Sequence, residues 1–162
     1  MHYHPNTRGA DIVDFNLNGV HALAWLAACV VAAGCATPDS PHYAVTGDAI
    51  PAPLTAESGD AARGRSVVAG RDANCTLCHA IPEGSERFMG NLAPPLTTVG
   101  ARYAAGQLRL RIVDSSRLNH DTIMPAYFRV AGLHQVSAAY RGQPILSAQQ
   151  VEDVVAYLQT LR

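Results

Sequence analysis

The pentapeptide Cys75-Thr76-Leu77-Cys78-His79 constrains this chain more tightly than any other segment. Two thiols two residues apart, followed at once by an imidazole, form the pattern of covalent haem attachment. Each thiol adds across a vinyl group to give a thioether, and the adjacent histidine reaches the iron from the proximal side. A chain carrying this motif has to fold around a large flat group. Other readings compete. A thioredoxin-like dithiol opens a helix after a strand, whereas the segment before Cys75 reads as helical with no strand ahead of it. Half of a zinc site needs a second ligand pair, and the sequence has no second CxxC and no HxxxH. A structural disulfide between Cys75 and Cys78 is a further reading.

Cys29 and Cys35 belong to a different part of the chain. Residues Ala22 to Ala33 are an uninterrupted apolar run of twelve, followed by Gly34-Cys35-Ala36. That is the length of a signal-peptide core and falls short of the ~20 residues a spanning helix needs. Residues 1–36 are therefore expected to be a leader directing export to the periplasm. Cleavage follows Ala36, or it precedes Cys35 in a lipoprotein, which alone would place the protein on a membrane. Against the lipoprotein stands Ala32, where a lipobox usually has Leu. The region ahead of the apolar run is unusual, with Arg8 its one certain cation and Asp11 and Asp14 behind it.

The chain has 12 basic residues, all Arg, and 13 acidic ones; without Arg8, Asp11 and Asp14 the balance is 11 against 11. This neutrality disfavours nucleic acid as a partner. Pro38, Pro41, Pro51 and Pro53 mark residues 37–58 as an extended, mobile linker, leaving 59–162 as the folded domain.

Within that domain the pattern is helical. Ser58-Gly59-Asp60 can cap a helix running to about Ala69, although Gly64 in its middle costs about 1 kcal/mol against Ala. Close backbone contact is a reason to keep it, and Tyr157 is the expected residue across it. Ala105 to Val113 form a second helix with Leu108 and Ile112 on its apolar face. Its Arg109 and Arg111 are expected on a solvated face, with contact to a haem propionate or a partner as the alternative. Ser147 and Gln150 make a capping box, after which Val151, Val154, Val155, Leu158 and Leu161 follow helical spacing.

A haem iron has a sixth position, and its occupant separates electron transfer from ligand chemistry. Met89, His120, Met124 and His134 are the candidates. Met124 is the expected ligand, because Pro125 stiffens the backbone beside it. His120 is the alternative ligand or a surface residue, Met89 packs or lies in its loop, and His134 stands in a polar turn.

Crossing terminal helices beside a CxxCH motif resemble class I cytochromes c. In that family a Pro carbonyl accepts a hydrogen bond from the proximal His and a nearby Leu packs on the ring. Gly90-Asn91-Leu92-Ala93-Pro94-Pro95-Leu96 matches that loop, so these roles fall on Pro94 and Leu96, with Ala93 departing from the usual Gly. Asn74 to Pro82, Gly90 to Pro94, Ile123-Met124-Pro125-Ala126-Tyr127 and Pro144 to Leu158 together resemble the SoxX family, the monohaem subunits of SoxAX thiosulfate-oxidising cytochromes. The resemblance runs from about Gly64 to Leu161.

It implies an all-α, class I cytochrome c-like domain of three to five helices around one covalently bound haem c. Cys75 and Cys78 would carry the haem, with His79 and Met124 as axial ligands. It also implies a SoxA-like haem subunit as heterodimer partner, the carrier SoxYZ reached through the complex, and a soluble cytochrome as electron acceptor. In that family the catalytic cysteine belongs to SoxA. This chain is accordingly expected to carry electrons released when thiosulfate joins the SoxYZ thiol, without catalysing that step alone. A free-standing periplasmic electron carrier is the alternative, and a haem sensor or an enzyme with an open sixth position is a third class.

Overall fold

Ser147 starts the C-terminal helix with a reciprocal cap: its Oγ accepts the Gln150 N–H at 3.2 Å, and its own N–H donates to Gln150 Oε1 at 2.8 Å. The computed structural model describes residues 42–82 and 89–162. The expected leader and Cys35 lie outside them. Four α-helices are present among the described residues: α1 (Ala61–Ala69), α2 (Val99–Arg102), α3 (Ala105–Asp114) and α4 (Ala148–Thr160). Single 3-10 turns cover Cys75–Leu77, Ser115–Arg117 and Ala138–Tyr140. No sheet forms among these residues, where strand pairing is limited to the isolated bridge between Thr46 and Ala49. The all-α expectation holds, with α2 as a short helix that its four residues were too few to reveal.

Helix α4 is the hub, in contact with α1, α2 and α3. Its Val151, Val154, Val155 and Leu158 enter the core with Val68 of α1 and Leu108 and Ile112 of α3. Asp60 caps α1 through the Arg63 N–H at 2.7 Å. A Cβ built on Gly64 would overlap the carbonyl oxygen of Asp153 and lie 2.9 Å from the Tyr157 Cβ. The absent side chain thus lets the two helix backbones touch. Asp153 locks this crossing. Its carboxylate accepts the Asp60 N–H at 2.8 Å, Arg63 Nε at 2.8 Å and Gln149 Nε2 at 3.0 Å.

Two expectations need correction. Arg109 does not face solvent; it is 4% exposed. Its guanidinium pairs with both Glu152 oxygens at 2.7 and 2.8 Å and donates to the Ile50 carbonyl at 2.7 Å. A buried charge is tolerable only with such full pairing. The second correction concerns the Pro-rich segment, whose residues 42–58 are not a mobile tether. Ile50 is 1% exposed within the core, and its N–H donates to the Gly106 carbonyl at 3.0 Å. The Leu54 N–H donates to Glu152 Oε1 at 2.9 Å, and Tyr43 packs against Phe128.

Gly64→Ala sets a helix-propensity gain of about 1 kcal/mol against overlap with a backbone that cannot swing aside. We expect the overlap to win, with a net loss of about 2 kcal/mol in guanidinium unfolding of the holoprotein.

Asp153 supplies a second prediction. The Arg63 hydrogen bonds outweigh burial and hold its carboxyl at about 2 against an ordinary 3.8. A carboxylate depressed on folding stabilises the native state above its unfolded value and loses that contribution as pH falls through its folded one. Arg63 is half-exposed, so solvent weakens the pair. Asp153→Asn should therefore cost about 1–2 kcal/mol at neutral pH. The gap from wild type should shrink below pH 4 and close only below pH 2 in urea titrations.

Candidate functional site

The attachment motif is shaped by its own backbone. Asn74 takes a left-handed conformation with φ of 51°, which asparagine tolerates better than most residues. The 3-10 turn that follows brings the His79 N–H to the Cys75 carbonyl at 3.0 Å. Residues 90–96 are laced onto this turn. The Gly90, Ala93 and Leu96 N–H groups donate to the carbonyls of Thr76, Cys78 and Ala80 at 2.8, 3.0 and 2.9 Å. Gly90 is required for close approach, since a Cβ there would overlap the Leu77 carbonyl oxygen. Ala93, in the place of the usual Gly, fits this lacing.

These ties set the Pro94 carbonyl 2.7 Å from His79 Nδ1. A proton on Nδ1 donates there and leaves the Nε2 lone pair free to bind a metal.

Two adjoining cavities of about 210 and 200 Å³ open beside His79. Cys75, His79, Pro94 and Met124 line both. The first continues between Val68, Leu96, Val99, Leu108, Val154 and Leu158, and it carries Arg102, Tyr103 and Arg111. Arg111 lies 3.9 Å over the Tyr103 ring centroid and donates to the Gln107 carbonyl at 3.0 Å. Asn74, Cys78, Ala93, Thr122, Ile123, Pro125 and Tyr127 complete the second. An apolar slot with two thiols and an imidazole at one wall, a thioether at another and two guanidinium groups fits a flat amphiphile bearing carboxylates. Haem is such a group.

The other sixth-ligand candidates lie elsewhere. His120 is exposed and lines neither cavity. His134 lines a separate hollow with Arg129 and Tyr140. The Met89 sulfur accepts the Ile81 N–H at 3.3 Å.

Tyr127 has a role that its sequence context did not reveal. Its hydroxyl donates to the Ala73 carbonyl at 2.8 Å and so ties the Met124 loop to the approach to Cys75. Burial, followed by the charges of Cys75 and Cys78 in their thiolate forms, raises its pKa. Burial also pushes the Cys75 thiol up to about 11. Redox-active dithiols depend on a lowered thiol pKa, so this environment opposes the thioredoxin-like reading. No disulfide joins Cys75 and Cys78. Among the described residues no three His, Cys, Asp or Glu side chains cluster to hold a metal.

Residues 61–162 match the cytochrome c family model. The chain belongs to the cytochrome c family, which implies covalently bound haem c and electron transport. It is also similar to a chain in the crystal structure of SoxXA from P. pantotrophus, at 34% identity with a TM-score of 0.69. The match covers 74% of this chain and 93% of that one. No curated protein matches the sequence significantly.

The attachment reading is tested by extraction. Haem should stay with the polypeptide in acidified acetone from wild type and partition into the solvent from a Cys75→Ala, Cys78→Ala variant.

Proposed function

We propose that this protein is the monohaem electron-transfer subunit of a periplasmic SoxAX-type thiosulfate-oxidising complex. The observation that carries this reading is the similarity to a SoxXA chain over 93% of that chain's length, at an identity of 34%. Haem c would supply one-electron exchange between ferric and ferrous iron. Cys75 and Cys78 would hold it through thioethers, and His79 and Met124 would be its axial ligands. Pro94 orients the imidazole and makes it a better donor, while Leu96 covers part of the slot wall. A thioether opposite the imidazole favours the reduced iron and gives a higher potential than a second imidazole.

Arg102 and Arg111, which line the first cavity, would supply positive charge to the propionates and reduce the cost of burying them. The residues around the slot exclude water and limit reorganisation when the charge on iron changes. Ile123 lines the second cavity and is 73% exposed, and Leu77 and Leu92, each adjacent in sequence to a lining residue, are 65% and 69% exposed; the lining includes no Arg, Asp or Glu. That rim suits close, desolvated contact with a second redox protein.

Joining thiosulfate to a carrier thiol makes one sulfur–sulfur bond and releases two electrons. With both of its motif cysteines alkylated by haem, this subunit offers the reaction no thiol from that motif. Its part is to take the electrons singly from a SoxA-like subunit and pass them to a soluble cytochrome. Export would follow from the leader, and membrane attachment only from a lipid on Cys35.

Expression of the whole chain with a SoxA-like cytochrome should give a stable heterodimer in size-exclusion chromatography. A lone monomer with ordinary carrier kinetics would instead support the free-standing electron carrier. The red-edge charge-transfer band of thioether-ligated ferric haem should be present in wild type and His120→Ala and absent in Met124→Ala.

A further inference from the structure

The Met124 loop leaves the end of α3 and returns to it. The Leu118 and Asn119 N–H groups donate to the Ser115 carbonyl at 3.0 and 3.1 Å, and the Thr122 N–H donates to the Asn119 carbonyl at 3.2 Å. The Asp121 N–H meets Asn119 Oδ1 at 3.1 Å. The turn then closes through two hydroxyls. Ser115 Oγ donates to Thr122 Oγ1 at 3.1 Å, and the same Thr122 oxygen accepts the Met124 N–H at 3.2 Å. Downstream, the Tyr127 and Phe128 N–H groups donate to the Ile112 and Val113 carbonyls at 3.1 and 3.3 Å.

We propose that Ser115 and Thr122 form a hydroxyl relay that positions Met124, fixing its backbone so that the sulfur stays in the slot. The proposal rests on Met124 being the sixth ligand. A thioether sulfur bonds iron weakly and its side chain has three rotatable bonds, so it cannot orient itself. Pro125 has no N–H to tie the next residue and biases Met124 toward extended backbone. Upstream restraint therefore falls on the Met124 N–H, and the relay anchors that group to the rigid end of α3. Thr122 does not reach the metal; it acts through Met124.

The relay sets how often the sulfur leaves the sixth position, which an external ligand reports directly. Imidazole should be titrated into the ferric holoprotein while the red-edge band is followed. Thr122→Val keeps the shape and removes the relay, so imidazole should bind about three- to tenfold more tightly, the factor expected from one net hydrogen bond. Ser115→Ala should act in the same direction, and the double variant should add less than the two singly because both cut one chain. Thr122→Ser should restore wild-type affinity. Ser147→Ala, which removes the exposed N-terminal cap of α4 and weakens the fold away from the slot, should leave imidazole affinity unchanged.

Unaltered affinity in Thr122→Val alongside much tighter binding in Met124→Ala would overturn the relay and leave the ligand assignment standing. Failure of Thr122→Ser to rescue, or an equal gain in Ser147→Ala, would also overturn it, by showing that imidazole reports general loosening. A wild type without the band, with Met124→Ala binding imidazole no better, would remove both the ligand assignment and the relay.

Discussion

Backbone contact between α1 and α4 at Gly64 sets the geometry on which the slot depends. With no Cβ between them, the two helices approach until the Asp153 carbonyl meets the Gly64 Cα. The Asp153 carboxylate then fixes the entry to α1, because it holds the Asp60 N–H and the Arg63 guanidinium together. From this joint α1 leads through Val68, a slot wall, to the turn that carries Cys75. Val154 and Leu158, on the next turns of α4, form the wall beside it. Any separation at the crossing would move Val68 away from Val154 and Leu158.

Two adjacent acids on α4 divide the work of holding the bundle. Asp153 faces α1, whereas Glu152 accepts from Arg109 of α3 and from the Leu54 N–H. The cost of burying Glu152 and Arg109 largely cancels their attraction, so this pair is weak as a source of net stability. Its effect is on arrangement. Both carboxylate oxygens and the Ile50 carbonyl are engaged, and a rotated α3 or a displaced N-terminal segment would strand a charge in the core. The Pro-rich segment gains order from this demand, with Ile50 supplying apolar cover.

Features with short-range signals were legible in the sequence. The Ser147 cap, the Asp60 cap and the periodic apolar face of α4 are each written within one or two turns of helix. Gly64 was legible as a close approach because an interior glycine needs a reason, and Tyr157 was its expected neighbour. The attachment motif and the Met124 loop could be located by residue type, and Pro94 and Leu96 by family resemblance. Arg109 was misread because its partner lies 43 residues away, and a helix pattern assigns any arginine to solvent until that partner is known. Ile50 was hidden for a related reason, since one apolar side chain among prolines has no period. Tyr127, Ser115 and Thr122 act through hydrogen bonds whose partners only the folded chain brings together.

The two sides of the slot are held by different means, and the difference follows from the chemistry of His79 and Met124, the ligands we propose. An imidazole has a second ring nitrogen, so a single hydrogen bond to Pro94 fixes both its tautomer and its plane. A methionine sulfur has no such handle, and its position must come from the main chain. The loop therefore concentrates its ties on either side of Met124, at Thr122 and at Tyr127. This has an effect on the outer surface. Thr122 and Met124 are half-buried, and Ile123 between them is exposed. Ile123 is 73% exposed at the mouth of the cavity it lines. Under the proposed ligation, the loop that would position the sulfur is also the one that presents an apolar side chain at the surface.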